Sequence, residues 1–164
     1  MRLLASAAAL LLFPAATLSA GAADCGREAF AKVVSEASAE LAAMNTAQKA
    51  SLSEKLQLLK ARQGWADGDY VAKATPFVQD AKIAEFDQGN KSLLAQVSQL
   101  GAPAASLAAA VPSLPGGEDR HCGMLQELRG LIAKVVENTR AKWAYMLGKV
   151  DGALEDARQA QAGR

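Results

Sequence analysis

The sequence is poor in the residues on which most catalytic sites depend. It has one histidine, two cysteines, four Phe, two Trp and two Tyr among 164 residues. It contains neither a G-x-S-x-G nor a C-x-x-C-H sequence, which excludes a serine nucleophile elbow and covalent haem attachment. One histidine also leaves little from which to build an activated nucleophile with an oriented base. We therefore predict that the protein is not an enzyme and has no cofactor.

The sequence also lacks an excess of charge of either sign. It has 18 Lys and Arg residues against 17 Asp and Glu residues. Nucleic acids and anionic lipid surfaces are bound largely through clustered basic charge. The charge balance therefore gives no reason to expect nucleic acid or an anionic membrane as a partner.

The N-terminus has the three parts of a secretory signal peptide. Arg2 supplies a positive charge, residues 3–13 are small or apolar, and residues 20–22 read Ala-Gly-Ala. An apolar run of about 11 residues is short of the roughly 20 that a membrane span needs. We expect a signal peptide over residues 1–22, cleaved after Ala22 or, as alternatives, after Ala20 or Ala23. The remaining protein, residues 23–164, would then be a single helical domain with no membrane anchor, periplasmic or secreted.

The two cysteines, Cys25 and Cys122, are an even, low count in a chain with a predicted signal peptide. Such a count indicates one disulfide bond. In the chain-entropy model, a bond that closes a loop of about 100 residues stabilises a fold by roughly 4–5 kcal/mol. The alternative, two free thiols with redox or metal chemistry, lacks a C-x-x-C sequence. We predict the disulfide.

Helix-forming composition and helical spacing predict an all-α protein. Alanine occurs 37 times, and no β-branched residues alternate with polar ones. The apolar positions of the first predicted helix are spaced as one helical face in heptad register: Phe30, Val34, Ala37, Leu41 and Met44. The next stretch has Leu52, Leu56 and Leu59, followed by a glycine stop at Gly64 and Trp65.

Two further helices follow. The third begins at Thr75 and Pro76 and ends at Gly101 and Pro103. Its seam contains one polar residue, Asn90, which we interpret as fixing the register or facing water; its members are Ile83, Phe86, Asn90, Leu93, Val97 and Leu100. Residues 101–117 have no charge and three prolines, and we interpret them as an Ala/Pro linker with at most one short helix, residues 104–111. The last helix begins at Glu118 and Asp119.

The disulfide would constrain how these helices connect. Cys25 lies at the start of the first helix and Cys122 in the first turn of the last, so the two helices must run parallel. This excludes a simple up-down-up-down four-helix bundle. Two architectures remain: an elongated three-helix bundle with residues 26–63 as one helix, or a crossover four-helix bundle with a break at Asn45 and Thr46. We favour the three-helix bundle.

Candidate site residues are few. Core packing is the default for the large or apolar side chains, and those that could instead contact a partner are Trp65, Tyr70, Trp143, Tyr145, Leu107 and Val111. His121 and Met124 share a helical face, and imidazole with thioether is a ligand pair that copper accepts. Our first hypothesis is an exported, non-catalytic protein that binds a protein partner as an adaptor, inhibitor, immunity factor or secretion accessory. The alternative is a carrier of a metal or small ligand in the bundle interior. A homodimer through the helical seams remains open.

Overall fold

A computed structural model describes residues 25–110 and 117–163, with side chains for residues 25–100 and 120–163. Within these ranges the protein is all-α, and the helices pack against one another. The elements are helix α1 (Arg27–Gln63), a 3-10 turn (Asp67–Asp69), α2 (Tyr70–Val78), α3 (Ala81–Ala110) and α4 (Gly117–Ala162). The predicted fold class is confirmed, with three long helices and one short one.

Helix α1 runs without a break through Asn45 and Thr46, which confirms the favoured architecture over the one with a break. It ends at Gly64, which has a left-handed backbone (φ 64°). The next N–H group, that of Trp65, donates to the Lys60 carbonyl at 3.1 Å. Glycine adopts this conformation without the steric penalty of a Cβ atom, so the predicted glycine stop is confirmed.

The junction between α2 and α3 corrects the predicted start of the third helix. Thr75 and Pro76 lie inside α2, and the Thr75 hydroxyl donates to the Val71 carbonyl at 2.7 Å instead of capping a new helix. Helix α3 begins after Asp80, whose Oδ1 accepts the Ile83 backbone N–H at 2.8 Å. An Asp oxygen bound to the third N–H group is a standard helix N-cap, and it outcompetes the Thr-Pro signal here.

The end of α3 also differs from the prediction. The helix continues past Gly101 and Pro103 to Ala110, so these two residues do not end it. Six of residues 101–110 are alanine, the strongest helix former, and this favours the helix despite the proline. The part of the predicted linker at residues 111–116, with Val111, lies outside the described residues. Helix α4 begins at Gly117, next to the predicted start, and continues through Gly148 and Gly152.

Helix α4 is the centre of the bundle, because both α1 and α3 pack along it while α1 and α3 scarcely touch each other. Cys25 and Cys122 form the disulfide, with Cα atoms 5.0 Å apart. Helices α1 and α4 are parallel, since four contacts join residues 96 to 100 positions apart: Cys25–Cys122, Glu40–Arg140, Asn45–Trp143 and Lys55–Asp151. The predicted parallel arrangement of the first and last helices is confirmed.

Helix α3 runs antiparallel to α4, and a polar layer fixes its position. The Asn90 amide donates to the Thr139 hydroxyl at 3.0 Å, and Asn138 Nδ2 donates to Asn90 Oδ1 at 2.9 Å. The same Asn138 nitrogen lies 2.8 Å from the Phe86 carbonyl. These bonds form only at one alignment of the two helices, which agrees with the interpretation of Asn90 as a register residue.

Buried side chains occur along most of α4, and those towards the disulfide are Leu125, Leu128, Leu131, Val135 and Val136. A separate cluster lies towards the other end of the bundle. Leu52, Leu56 and Leu59 of α1 pack with Trp65, Ala74 of α2, and Val150 and Ala157 of α4. We call this the core end, and the opposite end the disulfide end. Residues 27–48 of α1 contain no fully buried side chain, whereas residues 52–59 contain three. The helix is therefore packed far more completely at the core end.

Candidate interaction surface

Two of the predicted contact residues, Trp65 and Tyr70, lie at the turn that closes the core end. Trp65 is only 8% exposed, and its indole N–H donates to the Gln63 side chain at 2.8 Å. Tyr70 is half-buried, with its ring centroid 6.4 Å from that of Trp65. The Lys60 ammonium lies 5.8 Å from the Tyr70 ring centroid. Both rings support the end of α1, and little of Trp65 is available to a partner.

Trp143 joins α4 to α1 instead of facing outward. Its side chain is half-buried, and its indole N–H donates to Asn45 Oδ1 at 2.8 Å. The ring packs beside the core cluster. Asn45 thus holds the middle of α1 against α4, at the position where a helix break was the alternative.

Tyr145 belongs to a polar cluster where α2, α3 and α4 meet. Its hydroxyl donates to Asp80 Oδ2 at 2.9 Å, and the Lys149 ammonium donates to the same oxygen at 2.5 Å. Lys149 also donates to the Pro76 carbonyl. The Lys149 hydrogen bond and the Ile83 N–H lower the pKa of Asp80 to about 2, and the bond to Asp80 raises the pKa of Tyr145. The charges neutralise one another, so the cluster fastens the α2–α3 junction to α4.

The predicted metal pair lies beside the disulfide on α4. His121 and Met124 are both half-buried. His121 Nε2 is buried and has no hydrogen-bond partner among the described side chains. Within the described residues, no group of three or more His, Cys, Asp or Glu side chains is placed to hold a metal ion. Leu107 lies in α3 at a position whose side chain is not described.

Helix α1 has a partly exposed apolar surface at the positions whose heptad spacing is typical of a core seam. We use the name "α1 stripe" for Phe30, Val34, Ala37, Leu41 and Met44. Four of these side chains are only half-buried, and Val34 is 44% exposed. The spacing of the stripe is that of a core seam, so periodicity alone cannot separate it from the buried Leu52–Leu59 face.

Helix α3 presents a second apolar stripe at the same level of the bundle. Leu93, Val97 and Leu100 are half-buried and Leu94 is 50% exposed; we call these four residues the "α3 stripe". Because α3 and α4 are antiparallel, a residue further along α3 lies level with a residue earlier in α4. Asp87 contacts Lys142, and Asn90 contacts Thr139. Extending this register places Val97 level with Ile132. Contacting residues of α1 and α4 are 96 to 100 positions apart in the sequence, so Val34 also lies level with Ile132.

The two stripes therefore lie at the same level along α4, and the border of the α3 stripe has little charge. Because α1 and α3 scarcely touch, neither stripe is covered by the other helix. No residue from 92 to 117 is charged. The α1 stripe is bordered by charges of both signs, including the Lys32–Glu36 pair at 3.9 Å. We use the name "open face" for the two partly exposed apolar stripes together.

Comparison with known proteins gives no relative of this chain. No family model, curated protein or solved structure matches the chain. Among the described helices, none is both long enough and apolar enough to cross a bilayer. Function is therefore inferred from the residues of the open face.

Proposed function

We propose that the protein is exported and acts as a non-catalytic binding protein whose open face receives an amphipathic helix of a protein partner. The observation that supports this most is the half-exposed α1 stripe, which has heptad spacing and is only partly covered by α4. A groove with helical spacing is the usual receptor for an amphipathic helix. The roles that we consider for such a protein are adaptor, inhibitor, immunity factor and secretion accessory.

The dimensions and charge of the face favour this occupant. The α1 stripe extends from Phe30 to Met44, about 21 Å at 1.5 Å per residue, which is about four helical turns. A partner helix of similar length would cover it. The border of the α3 stripe has no charged side chain that could pair with a strongly charged ligand. The contacting side of the partner should therefore be apolar.

The test is photo-crosslinking from two positions of equal exposure on the same helix. Val34 is 44% exposed in the α1 stripe, and Leu58 is 45% exposed outside it. A photoreactive phenylalanine at position 34 should form an adduct whose crosslinked peptide lies on the apolar side of a partner helix. The same residue at position 58 should form none.

Matched substitutions extend this test. Val34→Glu should abolish the adduct formed from position 94 on the α3 stripe, whereas Leu58→Glu should leave it intact. Circular dichroism should show that both variants remain helical. Equal crosslinking from positions 34 and 58 would contradict the proposal. An adduct between two copies of this chain would replace the partner with a homodimer.

Export is supported by the signal-like residues 1–22 together with the disulfide. Disulfides persist in oxidising compartments, such as the periplasm and the extracellular space. The mass of the protein recovered from the periplasm or the medium should correspond to a chain that begins at Ala23. A full-length chain that remains in the cytoplasm would contradict export while leaving the binding face untouched.

A metal carrier remains the second candidate, because His121 Nε2 has no hydrogen-bond partner among the described side chains. Met124 would supply a thioether one helical turn away, and Cu(I) accepts both ligand types. Protein purified from its native compartment should then contain copper, and His121→Ala should remove it. Absence of copper from the wild-type protein would exclude this alternative.

A further inference from the structure

Helix α1 is attached to α4 very differently at its two ends. At the core end, Leu52, Leu56 and Leu59 are buried. A Lys55–Asp151 ion pair and an Arg62 hydrogen bond to the Leu154 carbonyl lie beside them. At the disulfide end, residues 27–48 have no fully buried side chain.

The described polar contacts between the N-terminal half of α1 and α4 are weak or lie at its inner limit. Glu40 and Arg140 form a 3.3 Å ion pair, but both side chains are more than half exposed. Exposed ion pairs contribute little, because water and salt screen them. The Asn45–Trp143 hydrogen bond is at residue 45, next to the well-packed half. Between residues 27 and 39, α1 makes no described polar contact with α4. Its half-buried apolar side chains lie level with the buried Leu125, Leu128 and Val135 of α4. The Cys25–Cys122 bond is the covalent connection at this end.

We propose that the Cys25–Cys122 disulfide is a redox latch for residues 27–44. When it is oxidised, it holds this half of α1 against α4. When it is reduced, the half-helix separates while the core end stays folded, and the inner side of the α1 stripe becomes exposed. The latch is a property of the chain alone and does not depend on whether a partner binds the open face.

A dithiol is the reductant that this change requires. One dithiol thiolate attacks a sulfur of the Cys25–Cys122 bond and forms a mixed disulfide, and the other cysteine leaves as a thiolate. The second dithiol thiol then displaces the first cysteine. The dithiol loses two electrons and two protons and becomes a disulfide, while the protein gains two thiols. Both cysteines are half-buried, so a small dithiol has access to them.

The separation should be local because the two halves of α1 differ in packing. Most of the stability of a helix in a protein comes from tertiary packing and not from intrinsic propensity. Once released, residues 27–44 should therefore lose hydrogen-bond protection. Residues 52–63 keep their buried leucines and should retain it.

Hydrogen–deuterium exchange on the full chain tests the latch. The oxidised protein is compared with the same protein in dithiothreitol and with the double variant Cys25→Ser and Cys122→Ser without reductant. We expect amides of residues 27–44 to exchange at least about tenfold faster in both reduced-like states, with residues 52–63 changing by less than about twofold. Glu40→Gln with the disulfide intact is the control and should resemble the wild type.

Two results would overturn the proposal. Unchanged exchange over residues 27–44 after reduction would mean that packing alone holds the half-helix. Equal acceleration over residues 27–44, 52–63 and 83–90 would mean that the disulfide stabilises the whole domain and no local latch exists. Because no partner is present in this experiment, its outcome is separate from the crosslinking test of the open face.

Discussion

Asp80 makes polar contacts to three residues on two helices, α3 and α4. Its carboxylate caps α3 through the Ile83 N–H, accepts the Tyr145 hydroxyl and pairs with Lys149. These bonds to the ionised form lower its pKa from 3.8 to about 2. A lowered folded-state pKa means that the ionised group stabilises the fold above pH 3.8, and that this stabilisation is lost as the pH falls towards 2.

Asp80→Asn tests this role. The amide oxygen can still cap α3, but the charge that pairs with Lys149 is gone. We expect the variant to be less stable than the wild type at pH 7, and the difference to shrink as the pH falls from about 4 to 2. Urea unfolding across this pH range measures it. A difference that stays constant with pH would show that Asp80 acts through shape and not through charge.

Glu155 provides the control for that experiment. Hydrogen bonds from Arg158 and Gln159 lower its pKa to about 2 as well, but all three residues lie on one exposed helical turn. Exposed pairs within a helix contribute less than contacts that join elements. Glu155→Gln should therefore have a smaller effect at pH 7 than Asp80→Asn.

At the scale of elements, the contact between α3 and α4 depends on a glycine. A Cβ atom built at Gly89 would lie 3.3 Å from Asn138 Nδ2, which is closer than such atoms normally approach. Asn138 cannot move freely, because its nitrogen bonds to the Phe86 carbonyl and to Asn90. Gly89 therefore allows the two helices to approach at the polar layer.

Gly89→Ala should lower the free energy of unfolding by about 1 kcal/mol, because displacing Asn138 outweighs the gain in helix propensity. Gly130→Ala is the matched control. A Cβ atom added at Gly130, in the interior of α4, would meet no neighbouring atom within 4 Å, so this variant should be more stable by about 0.5–1 kcal/mol. Chemical denaturation of both variants gives the two values. A stabilising Gly89→Ala would mean that the polar layer does not resist displacement.

Most of the elements follow from local signals in the sequence. Heptad spacing predicted α1, and Gly64 predicted its end. The α2–α3 junction was missed because Thr75-Pro76 and Asp80 are both valid starts, and the choice depends on Lys149 and Tyr145, which are distant in sequence. The end of α3 was missed because Pro103 was given more weight than the surrounding alanines. The open face was missed because the spacing of apolar residues does not report what covers them.

At the scale of the whole molecule, the disulfide is what made the topology predictable. Two cysteines near the starts of the first and last helices require those helices to be parallel, and this reduced the possible bundles to two. No comparable signal in the sequence predicts that α1 is more deeply buried at one end than at the other. The α1 stripe and the buried leucines have the same spacing, and only the three-dimensional arrangement shows which of them are buried.

Because α1 is more deeply buried at the core end than at the disulfide end, Leu→Ala should lower the free energy of unfolding by different amounts at the two ends. Leu59 is fully buried, so Leu59→Ala removes core contacts and leaves a cavity, and it should lower the free energy of unfolding by about 2–5 kcal/mol. Leu41 is half-buried in the α1 stripe, so Leu41→Ala should lower it by about 1 kcal/mol. Both variants are measured by urea unfolding with the disulfide oxidised. Similar losses at both positions would mean that the disulfide end is packed as well as the core end, and the open face would then be part of the core.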